Sequence, residues 1–95
     1  MIIAEFAIFP TSEGASVSKF VKKAIEEIEK SGLKYEIGAM ATTIEAKNLE
    51  ELFNVIKRAY DAMVAMGVKR IHIDLHIDHR LNKDATIESK KRAVK

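Results

Sequence analysis

The chain repeats itself. Val21 to Ile37 and Ile56 to His72 can be laid side by side so that Gly32 meets Gly67. The same offset pairs Lys23 with Arg58, Ala24 with Ala59, Ile28 with Met63, Leu33 with Val68 and Lys34 with Lys69. In both stretches an amphipathic helical pattern stops at a glycine, the residue suited to a left-handed helix cap, and an apolar strand pattern follows. Two halves of one design are therefore expected.

The remaining elements complete that design. Ile2 to Phe9 is a nearly continuous apolar run ended by Pro10, as expected of a central strand covered on both faces. Ser16 stands before Val17, Phe20, Val21, Ala24, Ile25 and Ile28 as the expected cap of helix one. Leu33 to Ile37 and Met40 to Ala46 read as a hairpin bent at Gly38 and Ala39. Asn48 with Glu51 resembles a capping box for helix two, whose face is marked by Leu49, Leu52, Phe53, Ile56, Tyr60 and Met63 and which closes at Gly67. Val68 to Asp78 alternates cleanly, with Ile71, Ile73, Leu75 and Ile77 on one side and His72, Asp74, His76 and Asp78 on the other.

Right-handed crossovers interleave the halves and bring strands one and three together at the sheet centre. The expected fold class is α+β: a ferredoxin-like βαββαβ sandwich, with an antiparallel four-stranded sheet and two helices on one face. The other face is left uncovered within the monomer. It should carry the His/Asp set of the last strand, Thr43 and Glu45 of the third, and Ile3, Ala7 and Phe9 around Glu5 of the first, while Met40 and Thr42 point with Ile44 toward the helices. A mixed apolar and charged face of this kind suits an oligomer interface or a ligand platform.

At 95 residues, 47% of them apolar, the chain suits one domain, 1–95, with a core over 1–78 and a basic C-terminal extension over 79–95. So small a core invites burial against further subunits. The 16 basic and 14 acidic residues are interspersed and leave a charge of only +2, unlike a nucleic-acid binder. Cysteine is absent, which removes disulfides and thiolate metal sites. Met1 to Phe9 lacks a basic leading segment and is broken by Glu5, so no signal peptide is read, and no run reaches membrane-span length. A cytoplasmic protein is expected. Abundant Lys, Glu and Ile with no Gln are compatible with a heat-adapted source.

Along the last strand, His and Asp recur on one side at intervals of about 6.6 Å. His72, Asp74 and His76 are thus candidate ligands of a metal-dependent enzyme. The reading preferred here is polar pairing on an outward or interfacial face with no metal, since no cysteine or carboxylate cluster completes a site. Ser12, Ser16 and Ser18 lie around Gly14 without a nucleophile elbow or a phosphate-loop pattern. Glu45 could serve as an acid or base, or could equally be a buried hydrogen-bonding carboxylate. No enzyme is read from these residues. In the extension, Thr86 is the expected cap of a short C-terminal helix with Ile87 and Val94 as its large apolar residues, docking on a neighbouring subunit.

The pattern Phe9-Pro10, Ser16-Val17-Ser18, Gly32-Leu33-Lys34-Tyr35-Glu36, Met40 through Thr42 to Ile44-Glu45, and Ile77-Asp78-His79-Arg80 resembles the small thiamin-binding, YkoF-like proteins over nearly the whole chain. The resemblance implies a homo-oligomer, a tetramer built as a dimer of dimers, that binds thiamin or a related pyrimidine or thiazole compound with no cofactor. The matching positions imply ligand contacts from Ser16, Ser18, Met40, Thr42, Glu45, Asp78 and Arg80. A structural or regulatory oligomer without ligand is the alternative.

Overall fold

The structure, a computed structural model, describes residues 1–14 and 17–95. Its elements follow the order β1 (Ile2–Pro10), α1 (Ser18–Lys30), β2 (Tyr35–Ile37), β3 (Thr42–Ala46), α2 (Leu49–Ala65), β4 (Ile71–His79) and α3 (Ile87–Ala93). The four strands form one antiparallel sheet ordered β2-β3-β1-β4, so the central pair is the first strand of each half. This is the ferredoxin-like arrangement.

Register explains which side chains meet. Phe6 lies between Thr42 and Leu75, and Ala4 between Ile44 and Ile77. Because paired residues share a face, the even positions of β1 join Thr42, Ile44 and Ala46 under the helices. Ile2, Phe6, Ile28, Ile44, Leu52, Val55 and Met63 are fully buried there. α1 and α2 pack on each other and over β1 and β3, which leaves the outer strand β4 thinly covered. Ile73 and Ile77, on the helix side of β4, each remain 40% exposed.

The helix ends follow local chemistry. Glu51 N–H donates to Asn48 Oδ1 at 2.8 Å, and Lys47 N–H donates to Glu51 Oε1 at 2.9 Å, which satisfies two otherwise orphaned groups at the start of α2. Gly32 and Gly67 both adopt φ near +80°, at 78° and 81°, so the equivalence of the two halves extends to the backbone. α1 starts behind Val17, whose carbonyl accepts from Phe20 and Val21, and Ser16 lies outside the described residues.

Several expectations need correction. β2 begins at Tyr35 and β3 at Thr42, so Met40 sits in the intervening turn and is 90% exposed. Gly38 N–H donates to Ala41 C=O at 2.9 Å across that turn. A Cβ on Gly38 would stand 2.8 Å from the same oxygen, so the tight turn itself demands glycine. β4 is shifted C-terminally, from Val68–Asp78 to Ile71–His79. α2 buries Leu52, Val55, Ala59 and Met63, whereas Leu49, Phe53 and Tyr60 lie on an exposed flank. Both stripes are apolar, and contact with α1 selects the one containing the small Ala59.

The largest difference lies at the C-terminus. α3 does not stand away from its own subunit but folds back on the sheet face opposite α1 and α2, against β3. The face expected to be open is therefore half covered within the monomer.

Candidate functional site

Thr42 and Glu45 are an odd number of residues apart on one strand, so their side chains leave the sheet on opposite faces. This parity divides the sequence-predicted site residues into two groups.

The first group lies at one end of the helix-covered side. The start of α1, the end of β1 and the β2–β3 turn enclose a cavity of about 220 Å³. Phe6, Val21, Ile25 and Ile37 contribute apolar walls, Met40 borders the mouth from the turn, and Thr42 supplies the only lining side chain with a hydrogen-bonding N–H or O–H group among the described residues. Ser18 opens α1 next to Val17, which also lines the cavity. Val17, Val21 and Ile25 were read in the sequence only as core, yet they continue the buried stripe of Phe20, Ala24 and Ile28 around the helix. An apolar face wider than the sheet contact requires was the available signal.

The second group lies beneath α3. Glu45 is 7% exposed, and its Oε1 accepts from the Ile87 N–H at 2.6 Å, placing a carboxylate on the first turn of that helix. Thr86 and Ser89 cap each other's backbone amides at 3.0 and 2.9 Å, which completes the helix start. Three ion pairs tie α3 to the sheet and its flank: Lys90 to Asp78 at 2.5 Å, Lys91 to Glu36 at 3.2 Å, and Lys34 to Glu88. The hydrogen bond and charge of Lys90 hold the Asp78 carboxyl below its ordinary value, with smaller help from Arg80 and His79. Lys34 likewise lowers Glu88, and its own ammonium is raised in return. Between helix and sheet remains a cavity of about 490 Å³, bordered by Ile3, Glu5, Thr43, His76 and Ile87. Arg80 is exposed just beyond β4. Acids on β2 and β4 facing a lysine-rich tail were the sequence signal for this docking.

The His/Asp row lies on this same face. His72 Nε2 is 3.2 Å from Asp74 Oδ2 and its ring stacks on Phe9, while His76 Nδ1 is 3.3 Å from Glu5 Oε1. These are separate pairs, and no group of three or more potential ligand side chains converges among the described residues. No helix among them is long and apolar enough to cross a membrane.

Comparison with known proteins adds a family frame. The profile of the thiamine-binding protein family matches residues 4–95. The UPF0045 protein of Methanocaldococcus jannaschii is 44% identical over 93 residues, spanning 98% of this chain and 91% of the relative. Its counterpart in Methanothermobacter thermautotrophicus is 35% identical over 96 residues, spanning 100% and 97%. A crystal structure of the M. jannaschii protein superimposes with a TM-score of 0.89 at 43% identity, covering 98% of this chain and 94% of that one. A Thermotoga maritima protein proposed to act in thiamine biosynthesis or salvage superimposes with a TM-score of 0.84 at 28% identity, covering 99% and 98%.

Proposed function

The chain belongs to the thiamine-binding protein family, and on that premise we propose that it binds the pyrimidine ring of thiamin, or of a related compound, in the cavity at the end of α1. The observation that carries this reading is the character of the cavity: apolar walls, one hydroxyl and about 220 Å³ of space. Sites that bury a whole drug-sized ligand run to roughly 300–1,000 Å³. This one suits a single ring.

Charge decides which ring. No acidic side chain lines the cavity among the described residues, so a buried thiazolium would lack a counter-ion, at a desolvation cost of several kcal/mol. The neutral aminopyrimidine carries no such penalty and can exchange a hydrogen bond with Thr42. Met40 offers a polarizable thioether at the cavity mouth, and Ser18 lies at the helix start beside the cavity. Glu45 and Asp78 hold α3, and with Arg80 they are left out of the ring's surroundings. The protein acts as a cytoplasmic homo-oligomer, a dimer of dimers, and needs no cofactor or catalytic step.

Calorimetry with thiamin and with hydroxymethylpyrimidine tests the reading. Both ligands should give heat and compete for one site. Thr42→Val should weaken binding about tenfold, the equivalent of one lost hydrogen bond of roughly 1.4 kcal/mol. Val21→Phe, which fills the cavity, should abolish binding while the fold persists. Absence of heat at millimolar ligand would leave the ligand-free oligomer as the better reading, and wild-type affinity in Val21→Phe would overturn the cavity assignment.

A further inference from the structure

One transverse row of the sheet face beneath α3 takes a polar side chain from each of the four strands. Glu36 pairs with Thr43, Thr43 with Glu5, and Glu5 with His76, and paired residues share a face. The next row holds Glu45, Ile3 and Asp78, and α3 lies over it, with the buried Ile87 on Glu45. Consecutive lysines of the helix then reach opposite edges of the sheet, Lys90 to Asp78 on β4 and Lys91 to Glu36 on β2. The helix is thereby held astride the sheet, and the cavity of about 490 Å³ beneath it runs along the polar row.

The size, walls and charge of this cavity together describe a ligand. Its volume falls within the roughly 300–1,000 Å³ of small-molecule sites. Ile3 on the sheet and Ile87 and Val94 on the helix give it apolar surfaces. Its charged side chains are three carboxylates, Glu5, Glu36 and Asp78, against two ammonium groups, Lys90 and Lys91. Both lysines are taken by Asp78 and Glu36, so the unmatched negative charge rests on Glu5. His76 Nδ1 lies 3.3 Å from Glu5 Oε1, and a neutral imidazole there supplies a hydrogen bond but no countercharge. The remaining charges nearby are committed elsewhere, Glu45 to the Ile87 N–H and Glu88 to Lys34.

We propose that the cavity beneath α3 is a second ligand site, which takes an organic monocation with a compact apolar body, of the arylalkylammonium type. The Glu5 carboxylate and the Thr43 hydroxyl accept from the ammonium group. In its Nδ1–H tautomer His76 donates to Glu5 and holds the carboxylate in place, while the apolar body lies against Ile3, Ile87 and Val94. A neutral ligand would strip water from Glu5 without giving it a countercharge, which is costly. An anion would meet Glu5 as a like charge. The site lies on the sheet face opposite the ring cavity and rests on no part of that reading.

Titration of isotope-labelled protein by nuclear magnetic resonance tests this, at about pH 8, where an ordinary imidazole is neutral. The probes are phenethylammonium and its neutral counterpart, phenethyl alcohol. The amine should shift the amides of Glu5, Thr43 and α3, leave those of Val21 and Ile25 unmoved, and bind roughly fivefold or more tighter than the alcohol. Glu5→Gln should bring the two probes to equal affinity, whereas Glu5→Asp should keep a preference for the amine. His76→Lys places a cation beside Glu5 and should also remove the preference. Circular dichroism matching the wild type establishes that each variant is folded. Saturating hydroxymethylpyrimidine should not displace the amine. Displacement, shifts centred on Val21 and Ile25, or no shift at about 20 mM amine overturns the second site. Equal affinity of the wild type for both probes, or an undiminished preference in folded Glu5→Gln, overturns the assignment of Glu5 and a cation.

Discussion

Glu45 shows how one side chain can take a role that its position alone does not announce. A carboxylate on a mostly apolar strand invites a ligand or an acid–base role, yet here it accepts from the Ile87 N–H at 2.6 Å under a short helix. A hydrogen bond to a charged group contributes about 1.5–3 kcal/mol. α3 is peripheral, so the loss in Glu45→Ala should appear first as local opening. The expected outcome is hydrogen exchange in α3 faster by on the order of thirtyfold, the equivalent of about 2 kcal/mol, with exchange in β1 little changed. Unchanged protection of α3 would show that this contact is not what holds the helix. Glu45→Gln keeps an acceptor and should fall between the two. Gly38 acts through absence, since the turn at the cavity mouth leaves no room for its Cβ.

At the scale of elements, α2 and α3 are held by different physics. α2 is fastened by aliphatic burial of Leu52, Val55 and Met63, which is insensitive to pH. α3 buries Ile87, donates its Ile87 N–H to the buried Glu45, and is otherwise tied by exposed ion pairs, each of which contributes little alone. Two carboxylates in these pairs, Asp78 of β4 beside Lys90, Arg80 and His79, and Glu88 of α3 beside Lys34 and Arg92, have lowered folded-state pKa values. A lowered carboxylate stabilises above its unfolded pKa, and that stabilisation is lost as pH falls through the folded value. The raised Lys34 behaves in the opposite sense, losing its contribution only as pH rises through its own folded value in strong alkali. α3 should therefore stay docked at neutral pH and loosen below about pH 4, before the sandwich unfolds. Limited proteolysis with an acid-active protease checks this: cleavage should fall within 80–95 while the remainder stays intact. Protection of α3 down to the global acid transition would contradict it.

The whole molecule is a sandwich with a tail turned onto its second face. The proposed division into a core over 1–78 and an extension beyond it has to respect β4, which runs to His79. A chain ending at Arg80 should melt cooperatively at a lower temperature than the full chain. It should also bind more of a hydrophobic dye, because Ile3 loses its cover. A broad, non-cooperative melt would show that α3 belongs to the folding unit itself. The architecture was legible in the sequence because its signals are local: two helices ended by Gly32 and Gly67, an apolar β1 and an alternating β4. The parity that separates Thr42 from Glu45 was legible for the same reason, since a strand sends alternate side chains to opposite faces. The buried face of α2 was not, because Phe53 and Tyr60 are as apolar as the residues chosen over them, and only packing beside α1 distinguishes the stripes. Nor was the cavity, which exists only where α1, β1 and the β2–β3 turn converge. The sequence by itself determined the order and type of the strands and helices and the facing of the strands, because backbone periodicity and capping act over a few residues. Tertiary structure alone decided that the C-terminal helix returns to its own sheet and draws in Glu45 and Asp78, because hydrogen bonds and ion pairs across 12 to 55 positions of the chain depend on where separate segments meet.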